Sequence, residues 1–433
     1  MKSKVLVALV CASFLLINAC SDKTYAPHPE YDLSDEIEPL SEQLVVRIFI
    51  DATGSMKGYV APGYSTNYAQ IFTCLEGAAL GGWSNVKVEF HKFGTKVKPL
   101  EGRQYLKAAE TGFYEDRDIN QETNIQEAIE HKAKTGGSTG ELRIIVTDLF
   151  QSESDVVLLV KKLKDEYIKR NLAIGILGIR SQFRGTIYDV RGGSFQYSSK
   201  ENPESHRPFY MLMLGKHSDI VRYFERLKSS GLSFISESNF AVFSRHLVDP
   251  LSSFHNASLE STENLQECIG LVASGSQTEL LKQFRIPGSP ENAAFTVKAK
   301  YHPLLYTVPF NLQELKSEVI AKKCQNSVLV DDTKAEKAFT IEETEFADGE
   351  LRFTARISPP SLAVGNIFFY DVTLRPEESS YQLPIWFSRW DMGVIQDGSK
   401  TLNLNRFVTD LWQTTVQVHK PKIARFCCYF KTR

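Results

Sequence analysis

The segment Asp51-Ala52-Thr53-Gly54-Ser55-Met56 follows directly on the apolar, β-branched run Leu44-Val45-Val46-Arg47-Ile48-Phe49-Ile50, so one carboxylate and two hydroxyls lie on the loop leaving an expected strand. Hard divalent cations such as Mg²⁺ take oxygen ligands in octahedral geometry, and a strand end carrying Asp, Thr and Ser at alternate positions can aim three oxygens at one point. The same residue types also cap helices and form turns with no ion involved. Taken alone, the segment leaves both readings open.

Other chemistries fail on context. Gly136-Gly137-Ser138-Thr139-Gly140 spells a nucleophile elbow, but an elbow needs a strand before it and a helix after it, and here the expected order is inverted. Asp51 to Ser55 resembles an aspartic-protease triplet, yet Ala52 separates the acid from Thr-Gly and no second copy occurs. The nine histidines show no HExxH or other ligand spacing, and His91, inside an alternating strand, reads as a packed or surface residue. No CxxC pair supports a thiolate metal site. A hydrolase therefore lacks a base and nucleophile pair, and the chain is expected not to be an enzyme. A formal net charge of −2, with no Lys/Arg block, gives no case for nucleic acid.

The surrounding pattern specifies what must position the Asp51 loop. A helix is expected around Asn67 to Leu80, with Ile71, Leu75, Ala78 and Ala79 on one face, ended by Gly81-Gly82. Val86 to Phe93 and Thr95 to Leu100 read as a hairpin, Thr123 to Ala133 as a helix, and Leu142 to Thr147 as a buried strand ending at Asp148. A helix over Ser154 to Arg170, strands over Leu172 to Ile179 and Phe209 to Leu214, and a helix over Ser218 to Lys228 complete the series. Alternation of this kind predicts an α/β, doubly wound, mostly parallel sheet with helices on both faces.

The interval Arg180 to Arg207 is unusual, because a parallel connection would contain a crossover helix and no helical pattern is visible. It holds Phe183, Arg184, Tyr188, Arg191, Phe195, Tyr197 and Arg207, residue types enriched at binding hot spots. The expectation is that it lies near the Asp51 loop and shapes partner choice; the alternative is that its aromatics cover the sheet.

Asp51 to Met56, then Thr123-Asn124-Ile125 opening a helix, then Thr147-Asp148 ending a strand, together resemble a von Willebrand factor A (VWA) domain over roughly residues 44 to 230. The resemblance implies a metal-ion-dependent adhesion site with ligand positions Asp51, Thr53, Ser55, Thr123 and Asp148. In that family the hydroxyls coordinate directly, the aspartates act largely through water, and a partner's carboxylate completes the sphere. Open doubly wound sheets do place ligands at the carboxyl ends of strands, where Asp51 and Asp148 fall. An all-oxygen set favours Mg²⁺, Mn²⁺ or Ca²⁺ over zinc or copper. Two positions depart from the family pattern: Thr53 stands where serine is usual, and Leu149 follows Asp148 where glycine is frequent, so that Leu149-Phe150-Gln151 puts bulk beside the metal.

At 433 residues the chain exceeds one ordinary core. The VWA-like unit is expected over residues 44–231. Residues 232–433 read as a β-rich, β-sandwich-like region of one or two domains, with strands at Phe240 to Phe243, Ala294 to Lys300, Leu351 to Ile357 and Ile367 to Leu374; Leu312 to Lys323 could instead be a helix. Lys2 and Lys4 precede an apolar run from Val5 to Ile17, an export signal too short to span a membrane. Ile17-Asn18-Ala19-Cys20 resembles the lipobox of bacterial lipoproteins, so residues 1–19 are expected to be removed and Cys20 lipidated; Asn18 departs from the usual residue and leaves ordinary cleavage open. Residues 20–43 read as a solvated tether. Cys74, Cys268, Cys324, Cys427 and Cys428 are an odd number for an oxidising compartment, and a Cys268–Cys324 bridge is one option.

The expectation is a membrane-tethered protein of the bacterial cell envelope, facing the periplasm or exterior. It would capture a partner protein's acidic group through a divalent cation. The alternative is an accessory or regulatory subunit of an envelope enzyme or assembly complex, contacting it through residues 232–433.

Overall fold

The structure is a computed structural model and describes residues 38–63, 65–131, 140–149, 153–190, 193–249, 258–267, 281–393 and 396–433. The signal segment, Cys20, Gly136 to Thr139, Phe150, Gln151, Arg191 and Cys268 lie outside the described residues.

Strand β1 (Leu44–Asp51) is buried at every position except Val45, as its near-continuous apolar run requires of a strand covered on both faces. It pairs in parallel on one side with β2 (Val86–Phe93) and on the other with β4 (Gly140–Thr147), while β3 (Val97–Leu100) forms a hairpin with β2. Arg47 sits in the middle of β1 at 3% exposure and is neutralised by Glu89, 2.8 Å from its Nε, and by Glu141 on the opposite neighbour. A buried guanidinium survives there because carboxylates on both flanking strands accept its donors.

Beyond β4 the expected mostly parallel, doubly wound sheet is not formed. Strand β5 (Ala173–Ser181) does not lie next to β4. The chain leaves β5, forms a two-stranded hairpin from β6 (Arg184–Val190) and β7 (Gly193–Ser198), and returns as β8 (Arg207–Gly215), which inserts between β4 and β5 antiparallel to both. Strand β9 (Phe240–Phe243) adds antiparallel to β5, giving the order β3-β2-β1-β4-β8-β5-β9. The sheet is mixed, with four antiparallel pairings against two parallel ones. The physical reason is the interval 182–206: without a crossover helix the chain cannot re-enter the sheet in the same direction, so it turns back, and Ser181 pairs with Arg207 where the excursion closes.

The single helix expected over Asn67 to Leu80 is two short ones, Asn67–Ile71 and Leu75–Leu80, the first capped by the Thr66 hydroxyl accepting from Ala69 N at 3.1 Å. Longer helices cover Glu153–Glu166 and His217–Lys228. The segment entering β1 is docked: buried Asp219 accepts from the backbone N–H and hydroxyl of Ser41 at 3.0 and 2.7 Å.

The remaining strands are β10 (Ser258–Glu263), β11 (Gln266–Glu267), β12 (Leu281–Ile286), β13 (Ala293–Lys300), β14 (Leu315–Gln325), β15 (Val328–Asp331), β16 (Phe339–Ala347), β17 (Glu350–Ile357), β18 (Ile367–Pro376), β19 (Asp391–Met392), β20 (Thr401–Leu402) and β21 (Ala424–Thr432). They form a four-stranded sheet, β10-β13-β17-β16, and a six-stranded sheet, β11-β12-β21-β18-β14-β15, with β19 and β20 paired separately. Aromatics interleave between the two larger sheets, with Phe295 5.3 Å from Phe284 and 6.1 Å from Phe430 by ring centroids. Leu312 to Lys323 is not a helix, since β14 takes Leu315–Gln325 into a ladder with β18. Nor does the region consist of strands alone: the helix Leu404–His419, the longest described, buries Phe407, Leu411 and Trp412 and packs against helix Glu153–Glu166 of the first sheet.

Candidate metal centre

The Asp51 loop takes its shape from neighbours on both sides. Ala52 N donates to Phe93 O at 2.8 Å, extending the β1–β2 ladder by one step, and Gly54 N reaches Asn120 O at 3.3 Å. A short 3-10 helix, Gly54–Tyr59, then carries the chain away. The loop bearing Thr123 is brought alongside by Gly94, whose missing Cβ would lie 2.1 Å from Ile119 O; only glycine lets Ile119 to Asn124 lie across the end of β2. Thr95 N to Ile119 O (3.0 Å) and Asn124 N to Gly94 O (3.3 Å) fix that crossing.

Asp51 is fully buried and its oxygens are engaged. Oδ1 accepts from Thr53 N at 3.0 Å and from the Thr53 hydroxyl at 2.6 Å, and Oδ2 accepts from the Thr147 hydroxyl at 2.8 Å. Thr53 has one hydroxyl proton and gives it to Asp51, so Ser55 and Thr123, 3.2 and 2.9 Å from Thr53 Oγ1, must each donate to it. Asp148 follows β4 at 2% exposure, and its Oδ2 accepts from Arg207 Nη2 at 3.3 Å. Burial, and then the negative charge of Asp148, push the Asp51 carboxyl up to about 7 against the pull of its hydrogen bonds.

Thr53, Ser55, Thr123 and Asp148 all open onto one cleft of about 1050 Å³, with Phe183, Thr186, Ile187 and Tyr188 of the β6 side on one wall and Glu127, Asp155 and Lys161 on another. All five residues singled out in the sequence therefore meet at the head of one cleft, Asp51 lying behind the other four. Leu149 does not crowd it: its side chain is buried in the core with Leu159 and Tyr210, at the cost of a left-handed backbone (φ 48°). Three parts of the site escaped the sequence reading. In the sequence Thr147 is only the residue before Asp148, Arg207 only a hot-spot type, and the segment Gly398–Lys400, whose carbonyls receive Arg207, carries no signal at all.

The donor set fits a hard divalent cation. Neighbouring ligands in an octahedron with bonds of roughly 2.1 Å stand about 3 Å apart, and the hydroxyl spacings of 2.9 and 3.2 Å match that edge. The same spacing is that of a hydrogen bond between hydroxyls, so the three oxygens are held in place by one another. Two carboxylates, Asp51 pushed toward neutrality first by burial and then by the charge of Asp148, would gain from a cation beside them. Among the described residues no group of three or more His, Cys, Asp or Glu side chains is arranged to hold a metal; this set is two carboxylates and three hydroxyls. The sequence matches no protein-family model and no curated protein.

Proposed function

We propose that this protein is a non-enzymatic binding module of the metal-ion-dependent adhesion type, in which Thr53, Ser55 and Thr123 hold Mg²⁺, or Mn²⁺ or Ca²⁺ in its place, with Asp51 and Asp148 supplying the negative charge. Its ligand is an acidic group on a partner protein. The observation that carries the reading is the spacing of the Ser55 and Thr123 hydroxyls from that of Thr53, over a buried carboxylate at the head of a cleft of about 1050 Å³. The reading rests on the site, not on the sheet order. Tyr188, 47% exposed on the cleft wall over the buried Phe183 and Ile187, supplies apolar contact beside the charge, as binding hot spots do. We further propose that Cys20 carries the lipid that tethers the body to a membrane of the bacterial envelope.

Affinity capture from envelope extract tests this. With Mg²⁺ the protein is expected to retain a partner that chelator releases, and Asp51→Ala is expected to lose both Mn²⁺ uptake and the partner. Retention of the partner by Asp51→Ala in chelator would overturn the mechanism. Incorporation of labelled fatty acid that disappears in Cys20→Ala tests the anchor.

A further inference from the structure

Arg207 lines the cleft at 2% exposure, and its guanidinium is held on two sides. Nη2 donates to Asp148 Oδ2 at 3.3 Å, while Nη1 donates to the carbonyls of Gly398 at 3.3 Å and Lys400 at 3.2 Å; the guanidinium also lies 5.4 Å from the centre of the Phe183 ring. Arg180, on the neighbouring strand β5, donates to the carbonyl between them, Ser399 O, at 3.3 Å, and stacks 4.8 Å over Trp390. Three successive carbonyls of the C-terminal region are thus received by two arginines of the first sheet, and one of those arginines also grips a carboxylate at the candidate metal centre.

We infer that Arg207 is a positioning residue that sets the cation affinity of the site and couples its occupancy to the segment 397–401. The inference rests on the metal-binding reading above. A positive charge held against Asp148 lowers the potential gain for an incoming cation, and a cation beside Asp148 competes with Arg207 for that carboxylate. Weakening one hold changes the other, because the planar guanidinium cannot follow Asp148 without shifting against Gly398 O and Lys400 O. The coupling is reciprocal by linkage: whatever displaces 397–401 alters cation affinity by the factor with which the cation alters the segment. This makes the C-terminal region part of the site although none of the five proposed ligands comes from it.

The test uses the full chain, Mn²⁺ as probe, isothermal titration for affinity and amide hydrogen exchange at residues 399–402 for the segment. In the wild type, saturating Mn²⁺ speeds exchange there several-fold. Arg207→Met, which removes the charge, binds Mn²⁺ roughly tenfold more tightly or better, and its segment exchanges fast with or without the ion. Arg207→Lys keeps the charge but lacks the fork that spans both holds, so its affinity stays near wild type while its exchange no longer responds to Mn²⁺. If Arg207→Met does not fold, the wild type and Arg207→Lys still decide the matter. Equal Mn²⁺ affinity in wild type and Arg207→Met, or wild-type exchange that ignores the ion, overturns the inference and leaves the metal site standing; a wild type that binds no Mn²⁺ overturns both.

Discussion

The hydroxyl of Thr147 donates to Oδ2 of Asp51 at 2.8 Å, joining the carboxyl ends of β1 and β4 through a buried carboxylate. Thr147 is itself fully buried and so has no solvent to turn to. A hydrogen bond to a charged acceptor is worth about 1.5–3 kcal/mol, more than one between neutral groups. Thr147→Val keeps the shape and removes the donor, and is expected to lower stability by about that amount, whereas Thr147→Ser should cost about 1 kcal/mol or less. Because Asp51 ionises near 7, the valine variant should lose more at about pH 8.5 than at about pH 6. Urea midpoints at the two pH values check this; a pH-independent loss would mean that the bond does not act on the ionised carboxylate.

Leu149 combines two demands that normally exclude each other. Its φ of 48° places it in the left-handed region, and its side chain is 3% exposed within the core. The left-handed conformation costs a non-glycine residue about 1–2 kcal/mol, and truncating a buried leucine costs about 2–5 kcal/mol. Leu149→Ala keeps the strain and loses the packing. Leu149→Gly loses that packing and the buried Cβ as well, about 0.8 kcal/mol, but relieves the strain, offset further by about 0.4–1 kcal/mol of extra unfolded-chain entropy. The glycine variant is therefore expected to match the alanine variant within about 1 kcal/mol, whereas in a helix or strand glycine is the less stable of the two. Denaturant midpoints decide it, and an alanine variant clearly the more stable of the two would refute the strained backbone at this position.

The parts of the site legible in the sequence were those whose chemistry is local. Asp51, Thr53 and Ser55 are two residues apart at the end of an unmistakable buried strand, and Thr123 and Asp148 stand at a helix start and a strand end; the structure brings four of them to one cleft and sets Asp51 behind them. What could not be read was direction. The runs that became β5 and β8 show the same apolar composition whether they lie parallel or antiparallel, since both faces are covered either way. The missing crossover helix between Arg180 and Arg207 is the mark of the reversal, but the same absence is also compatible with an irregular loop between parallel strands. Arg207 was hidden for a related reason: its partners Asp148, Gly398 and Lys400 lie on other strands and in another region, and only the folded chain brings them to it.

His91, read from the sequence as a packed or surface residue, is packed. It stacks on Phe49 with ring centroids 4.9 Å apart and lies 5.0 Å from His131. Burial first, and then the proximity of His131, lower it from 6.5 to about 4. The unfolded chain therefore takes up a proton on His91 below about 6.5 that the folded chain refuses until about 4, so stability falls as pH drops through that window and is unaffected by His91 above it. His217 and His419 are likewise held at about 4 by burial and contribute in the same direction. His91→Phe preserves the ring stack and removes one of these three titrations, so its stability should fall less steeply than that of the wild type between pH 6.5 and 4, with little difference above. Unfolding free energies across that range measure it; parallel curves for the two proteins would show that His91 is protonated in the folded state and that the stack on Phe49 tolerates its charge.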